Sequence, residues 1–172
     1  MSTADPSLHA STAGPLPRYD PVEVVAEEKT KLVRFAFLLT GRRDWTDDIV
    51  AEAFARAWRA LQAGTIQDPG AYLRRSVTNL AIRRSRRERL ETIVALGRRD
   101  APPTPFEDIF AETQLVLGAM LKLSPQQRAI IALRFWEDRN EQEIAHILGV
   151  SRGTVKTQAH RAYKHLRQIL EN

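Results

Sequence analysis

Residues 141–166 read EQEIAHILGVSRGTVKTQAHRAYKHL. Two stretches of helical periodicity meet at Leu148-Gly149-Val150-Ser151. Gly149 permits the left-handed backbone that a tight reversal needs. Val150 is placed to fill the angle between the helices, and Ser151 opens the second one. Asn140, with Glu143 three residues on, forms a capping-box pattern at the start of the first. On the second helix Val155, Ala159, Ala162 and Leu166 fall on one face. Arg152, Thr154, Lys156, Thr157, His160, Arg161 and Lys164 lie away from it. This is the pattern of a helix-turn-helix whose second helix offers a basic face to a major groove. Arg and Lys read guanine edges there, while Thr and the helix N-terminus hold phosphate. A solvated basic face on an ordinary helical hairpin would explain the charge. It would not explain spacing, glycine and face together.

Upstream, Ser124-Pro125 reads as a cap followed by the residue preferred at the first helical position. Ile130, Leu133 and Trp136 are expected inward on the helix that follows. Leu115, Leu117, Met120 and Leu121 belong to another helix starting near Ala111. Before it, Asp100 to Glu112 carries four acids, three prolines and no Lys or Arg. That composition predicts a flexible acidic linker.

The first half is also helical. Val25, Leu32, Phe35 and Leu39 recur at helical spacing up to Thr40-Gly41. A second helix is expected after Trp45-Thr46, with Ile49, Phe54, Ala57, Trp58 and Leu61 on one face and Gly64 as its stop. Trp58 reads as core, and Trp45 as a staple or a contact. Asp68-Pro69 begins a third helix with Leu73, Val77, Leu80 and Ala81 inward. Arg74, Arg75, Arg83, Arg84, Arg86, Arg87 and Arg89 line the rest of it. Such a helix suits phosphate neutralisation, with Tyr72 and Asn79 available to unpaired bases through stacking and hydrogen bonding. Asp47, Asp48 and Glu52 form an acidic cluster at a helix start. Dipole complementation accounts for the first two but less easily for Glu52.

The fold class is therefore all-α: two small helical domains joined by the acidic linker. The divisions are a disordered arm over 1–21, a helical domain over 22–96, the linker over 97–112 and the helix-turn-helix domain over 113–172. The 172 residues carry 26 Lys and Arg against 21 Asp and Glu, a net charge of +5 that favours an anionic partner. With no cysteine, disulfides, thiolate metal sites and Cys nucleophiles are excluded. No apolar run is long enough to span a membrane, and the arm lacks the features of a secretory signal. No metal-ligand, acid-base or phosphate-loop constellation emerges, so no cofactor, metal or catalytic residue is expected.

In this order, the motifs resemble the small bacterial RNA polymerase sigma factors of the sigma-70 family, extracytoplasmic-function type. DDIVAEAFARAW, Asp47 to Trp58, resembles their region 2.2. DPGAYLRRSVTNLAIRRSRR, Asp68 to Arg87, resembles regions 2.3 and 2.4. Leu123-Ser124-Pro125 with RAIIALRFWED resembles region 4.1, and EIAHILGVSRGTVKTQAHRA region 4.2. The resemblance implies a cytoplasmic, non-enzymatic initiation factor that directs core polymerase to promoters. It implies that Asp47, Asp48 and Glu52 meet the β′ clamp helices and that the C-terminal domain meets the β flap. Tyr72, Arg75, Asn79, Arg83 and Arg84 would serve the −10 element, and Arg152, Thr154, Lys156, Thr157, His160, Arg161 and Lys164 the −35 element. An anti-sigma factor is a further expected partner. The rival reading is a regulator of the quorum-sensing or response-regulator type. It needs an upstream sensory domain, which the strand-free, Arg-rich first half does not supply. An RNA-binding adaptor would use the same basic helices without promoter dependence.

Overall fold

The computed structural model describes residues 19–94 and 111–171. Among these are seven helices and no strand: α1 (Pro21–Thr40), α2 (Arg43–Gln62), α3 (Pro69–Val94), α4 (Ala111–Leu121), α5 (Pro125–Phe135), α6 (Glu141–Leu148) and α7 (Arg152–Leu170). The expected arm and most of the expected linker lie outside the described residues.

Local chemistry sets the helix ends. The Asp20 carboxylate accepts from the Val22 amide at 2.8 Å, with Pro21 at the first helical position. Gly41 closes α1 at φ 65°, its amide reaching the Phe37 carbonyl at 2.7 Å. Asp68 caps α3 through the Ala71 amide at 2.9 Å. Ser124 and Gln127 form a full capping box on α5.

The helix α2 starts earlier than its sequence suggests, at Arg43. Trp45 is thus inside its first turn and buried, with the guanidinium groups of Arg42 and Arg84 4.5 and 4.9 Å from its ring centroid. Trp58 departs from the expected core and is 39% exposed. Ala57 occupies the centre of the buried stripe, which leaves its bulkier neighbour at the edge. Trp136, the C-cap residue of α5, also lies outward and is 50% exposed. The inward residues expected on α3 are all buried: Leu73, Val77, Leu80 and Ala81.

The two helical halves meet. α1, α2 and α3 form a three-helix bundle, and α5 and α6 pack on α1 and α3. One hydrophobic core runs from Leu32, Leu39 and Leu73 through Ile130, Leu133 and Ile144 to Val155. A smaller cluster of Met120, Leu123, Ile131 and Ala162 ties α4 and α5 to α7.

Polar contacts cross the same seam. Arg74 on α3 is 3% exposed. It donates to Glu28 of α1 and to Glu137 of the α5–α6 turn, each at 2.6 Å. Arg128 of α5, also buried, donates to the Leu39 carbonyl at the C-terminal end of α1. Its Nε has no hydrogen-bond partner among the described residues. Desolvation, and after it the charge of Arg89, lowers its pKa to about 10.

Burial pushes the Glu28 carboxyl up, but Arg74 and then Lys31 outweigh it and hold the pKa below the ordinary value. The sign follows from that depression. Glu28 contributes stability above its unfolded pKa, and that contribution is lost as pH falls through the lower folded value. Stripping one partner from a buried ion cluster leaves the others desolvated without compensation. Arg74→Met should therefore cost about 3 kcal/mol and flatten the acid limb of the stability profile, both measured by urea unfolding across pH.

Candidate nucleic-acid interface

The helix-turn-helix forms from the expected residues. The Asn140 side chain accepts from the Gln142 and Glu143 amides at 2.9 and 3.0 Å. The Glu143 carboxylate accepts from the Asn140 amide at 2.8 Å. That backbone bond, then Arg139, holds the Glu143 pKa below its usual range. Gly149 ends α6 at φ 67°, and the Val150 amide reaches back to the Ala145 carbonyl at 3.1 Å. Val150 packs partly buried against the core, and the Ser151 hydroxyl accepts from the Thr154 amide at 3.1 Å.

On α7, Val155, Ala159 and Ala162 are buried and Leu166 is half-buried. Small residues at two of these positions let α7 lie close on α5, where Gln127 bonds to Gln158 at 3.2 Å. The opposite face is open. Arg152, Lys156, Thr157, His160, Arg161 and Lys164 are exposed, and Thr154 is half-buried near the helix N-terminus. Arg152 faces the Glu141 carboxylate at 3.9 Å. Beside this face, Phe135 and Tyr163 meet edge to face, centroids 6.1 Å apart.

The expected basic surface of α3 divides by position. Arg74 is consumed in the core and offers nothing to phosphate. Arg75 donates from Nε to the Ile147 carbonyl at 2.9 Å and from Nη2 to the His146 carbonyl. Tyr72, Asn79 and Arg83 are exposed. Tyr72 borders a cleft of about 350 Å³ with Thr65, Gln67 and Arg75. Arg84 stacks on Trp45 and donates to Asp48 at 3.3 Å.

This last pair joins two groups that the sequence alone keeps apart. Asp48 of the acidic cluster and Arg84 of the basic helix face each other across α2 and α3. Asp47 is exposed, and Glu52 accepts a hydrogen bond from Arg56 one turn on. Because α2 begins at Arg43, Asp44 rather than Asp47 or Asp48 sits in its first turn. The hydrogen bond from Arg42 lowers the Asp44 pKa. The dipole explanation therefore belongs to Asp44, which leaves Asp47, Asp48 and Glu52 as an acidic patch without that role.

Sequence reasoning missed Glu28, Glu137 and Arg128, which join the halves. Their signal is tertiary, since Arg74 and Glu137 are 63 residues apart. Among the described residues no His, Asp and Glu cluster suits a metal ion, and no helix is long and apolar enough to cross a membrane.

Comparison with known proteins bears on both halves. The family model described as Sigma-70 region 2 matches residues 24–91, and that described as Sigma-70, region 4 matches residues 113–166. The RNA polymerase sigma-E factor of Streptomyces coelicolor is 32% identical over 84% of this chain and 85% of its own. The ECF RNA polymerase sigma factor SigL of Mycobacterium tuberculosis is 30% identical over 84% and 85%. The sigma factor RpoE of Bartonella quintana, solved in complex with the anti-sigma factor NepR, shares the fold. Its TM-score is 0.71 at 22% identity, covering 87% of this chain and 96% of that one.

The capping box also sets a quantitative expectation. Asn140→Ala removes the acceptor for two α6 amides and should lower stability by about 1 kcal/mol. Chemical denaturation should record that loss, with helical circular dichroism at zero denaturant unchanged.

Proposed function

Because the chain belongs to the sigma-70 family of RNA polymerase sigma factors, in its extracytoplasmic-function group, we propose that it performs transcription initiation through two promoter-reading surfaces and one polymerase-binding patch. The α7 face from Arg152 to Lys164 reads the −35 element in the major groove. The α3 surface of Tyr72, Arg75, Asn79, Arg83 and Arg84 captures the melted −10 element. Asp47, Asp48 and Glu52 dock on the β′ clamp helices, and the C-terminal half meets the β flap. The polymerase supplies the chemistry.

The observation that carries this reading is the separation of charge. A basic α7 face lies open on one half, and an acidic α2 patch lies open on the other. Phosphate attracts the first and repels the second, so one face suits DNA and the other a protein with basic groups. Asp48 already pairs with a guanidinium, that of Arg84. A polymerase cation would exchange for it, freeing Arg84 for DNA as the holoenzyme forms. An anti-sigma factor is a further partner in this reading, by extension from the Bartonella protein solved with one.

Reconstitution with core polymerase, followed by open-complex mapping on genomic DNA, tests the reading as a whole. Failure to open any promoter would overturn it. For −35 recognition, a guanidinium makes two parallel bonds to guanine O6 and N7 that Ala cannot replace. Arg161→Ala should cost about 1–3 kcal/mol and relax selectivity at one base pair. Uniform weakening across −35 variants would make Arg161 a phosphate contact instead. For polymerase binding, Glu52→Arg should abolish holoenzyme assembly. Its effect on the fold is limited to a like-charge pair with Arg56, roughly 0.5 kcal/mol. Normal core affinity would return Glu52 to a surface role.

A further inference from the structure

We propose that Tyr19 is a positioning residue for −10 capture: its hydroxyl fixes the backbone of the α2–α3 loop, which walls the cleft beside Tyr72 where an unpaired base is selected. This rests on the functional reading above for the α3 surface, but the anchoring of the loop is argued independently of it.

Tyr19 precedes α1 and also the segment matched by the region 2 model, residues 24–91. The start of α1 sets its place. Asp20 caps that helix, Pro21 is buried at the first helical position, and Tyr19 stands one residue before the cap. That is the position of a hydrophobic staple. The ring packs, half-buried, on the core that contains Val24. From there the hydroxyl donates to the Gln67 carbonyl at 2.9 Å.

The loop has fixed points of its own, and they leave a gap that Tyr19 fills. Gly64 turns at φ 66°, and the Thr65 amide and hydroxyl both donate to the Ala60 carbonyl, at 3.0 and 3.1 Å. Ile66 is buried. At the far end Asp68 caps α3 through the Ala71 amide at 2.9 Å. Between Ile66 and Asp68 stands Gln67, itself exposed, with its carbonyl held by Tyr19. A peptide unit is planar, so holding that oxygen orients the whole Gln67–Asp68 peptide.

Thr65, Ile66, Gln67 and Asp68 line the cleft of about 350 Å³ together with Tyr72 and Arg75 of α3. The Tyr72 ring offers a stacking surface, and stacking tolerates every base. Discrimination among bases therefore falls to polar groups held in one orientation, and the loop supplies several of them. A peptide free to turn would present its donors and acceptors in several ways and suit more than one base. The Tyr19–Gln67 bond is exposed, so water replaces it readily and its net contribution to stability is modest. What it supplies is orientation.

Tyr19→Phe keeps the ring and removes the hydroxyl. In the free full chain, hydrogen exchange read by mass spectrometry should show amides 64–68 exchanging about 3–10-fold faster, the range that one lost exposed hydrogen bond corresponds to. Exchange in α5, α6 and α7 should stay as in wild type. With core polymerase, open-complex formation is measured on a promoter mapped with the wild type and on variants carrying each other base at every −10 and −35 position. Wild type should prefer one base at a −10 position. Tyr19→Phe should weaken that preference about 3–10-fold, with −35 preferences and core affinity retained. Exchange at 64–68 that matches wild type overturns the anchoring. Faster exchange with every base preference intact, or with a uniform loss across all promoter variants, overturns the role in −10 selection. A wild type that shows no −10 base preference overturns the functional reading of α3 instead and leaves the exchange result standing.

Discussion

A desolvated guanidinium at the centre of the molecule constrains the rest. Arg74 is nearly inaccessible, and its charge is satisfied only when Glu28 of α1 and Glu137 of the α5–α6 turn both reach it. An ion cluster of this kind adds little net stability over an apolar replacement. Its strength lies in what it forbids. A different seating of the C-terminal half would bury Arg74 with one partner or expose the core beside it. The position of α6, the engagement of Arg75 and the open face of α7 all follow from that seating.

Opposite charge is used twice, at different depths. Buried pairs at Arg74 fix the geometry. Exposed pairs such as Asp48 with Arg84 and Glu52 with Arg56 contribute little to stability, because water and salt screen them. That weakness suits groups that must change partners. In the proposed function, these exposed pairs are the ones that would exchange partners when polymerase and DNA arrive.

Apart from the start of α2, which no side chain caps, the helix ends and the helix-turn-helix were legible because their causes are local. Asn140 with Glu143, Gly149, and Ser151 act within a few residues of themselves, so reading order and spacing is enough. The inward residues of α3 and α7 were legible for the same reason, through the 3.6-residue period. The tryptophans were not. Trp58 shares the phase of Phe54 and Leu61, yet it lies at the stripe's edge because Ala57 sets how closely α2 meets its neighbours. Trp136 keeps helical backbone at the C-cap of α5 and still lies outside the core. Among the candidate site residues, type and face were readable, as with the open series from Arg152 to Lys164. Availability was not, since Arg74 and Arg75 look alike in sequence and differ wholly in surroundings.

The sequence by itself determined the seven helices of the described residues, most of their caps, the basic face of α7 and the family to which the chain belongs. Each depends on residues within one or two turns of one another, or on motifs in a fixed order. Only the tertiary structure decided that the two halves share one core and that Arg74 is a structural cation. It alone decided that Arg75 grips the end of α6 and that Asp48 faces Arg84. Those outcomes rest on pairs 36 to 72 residues apart. No local propensity encodes such a pairing; it is set by which buried charges and apolar surfaces can be satisfied together.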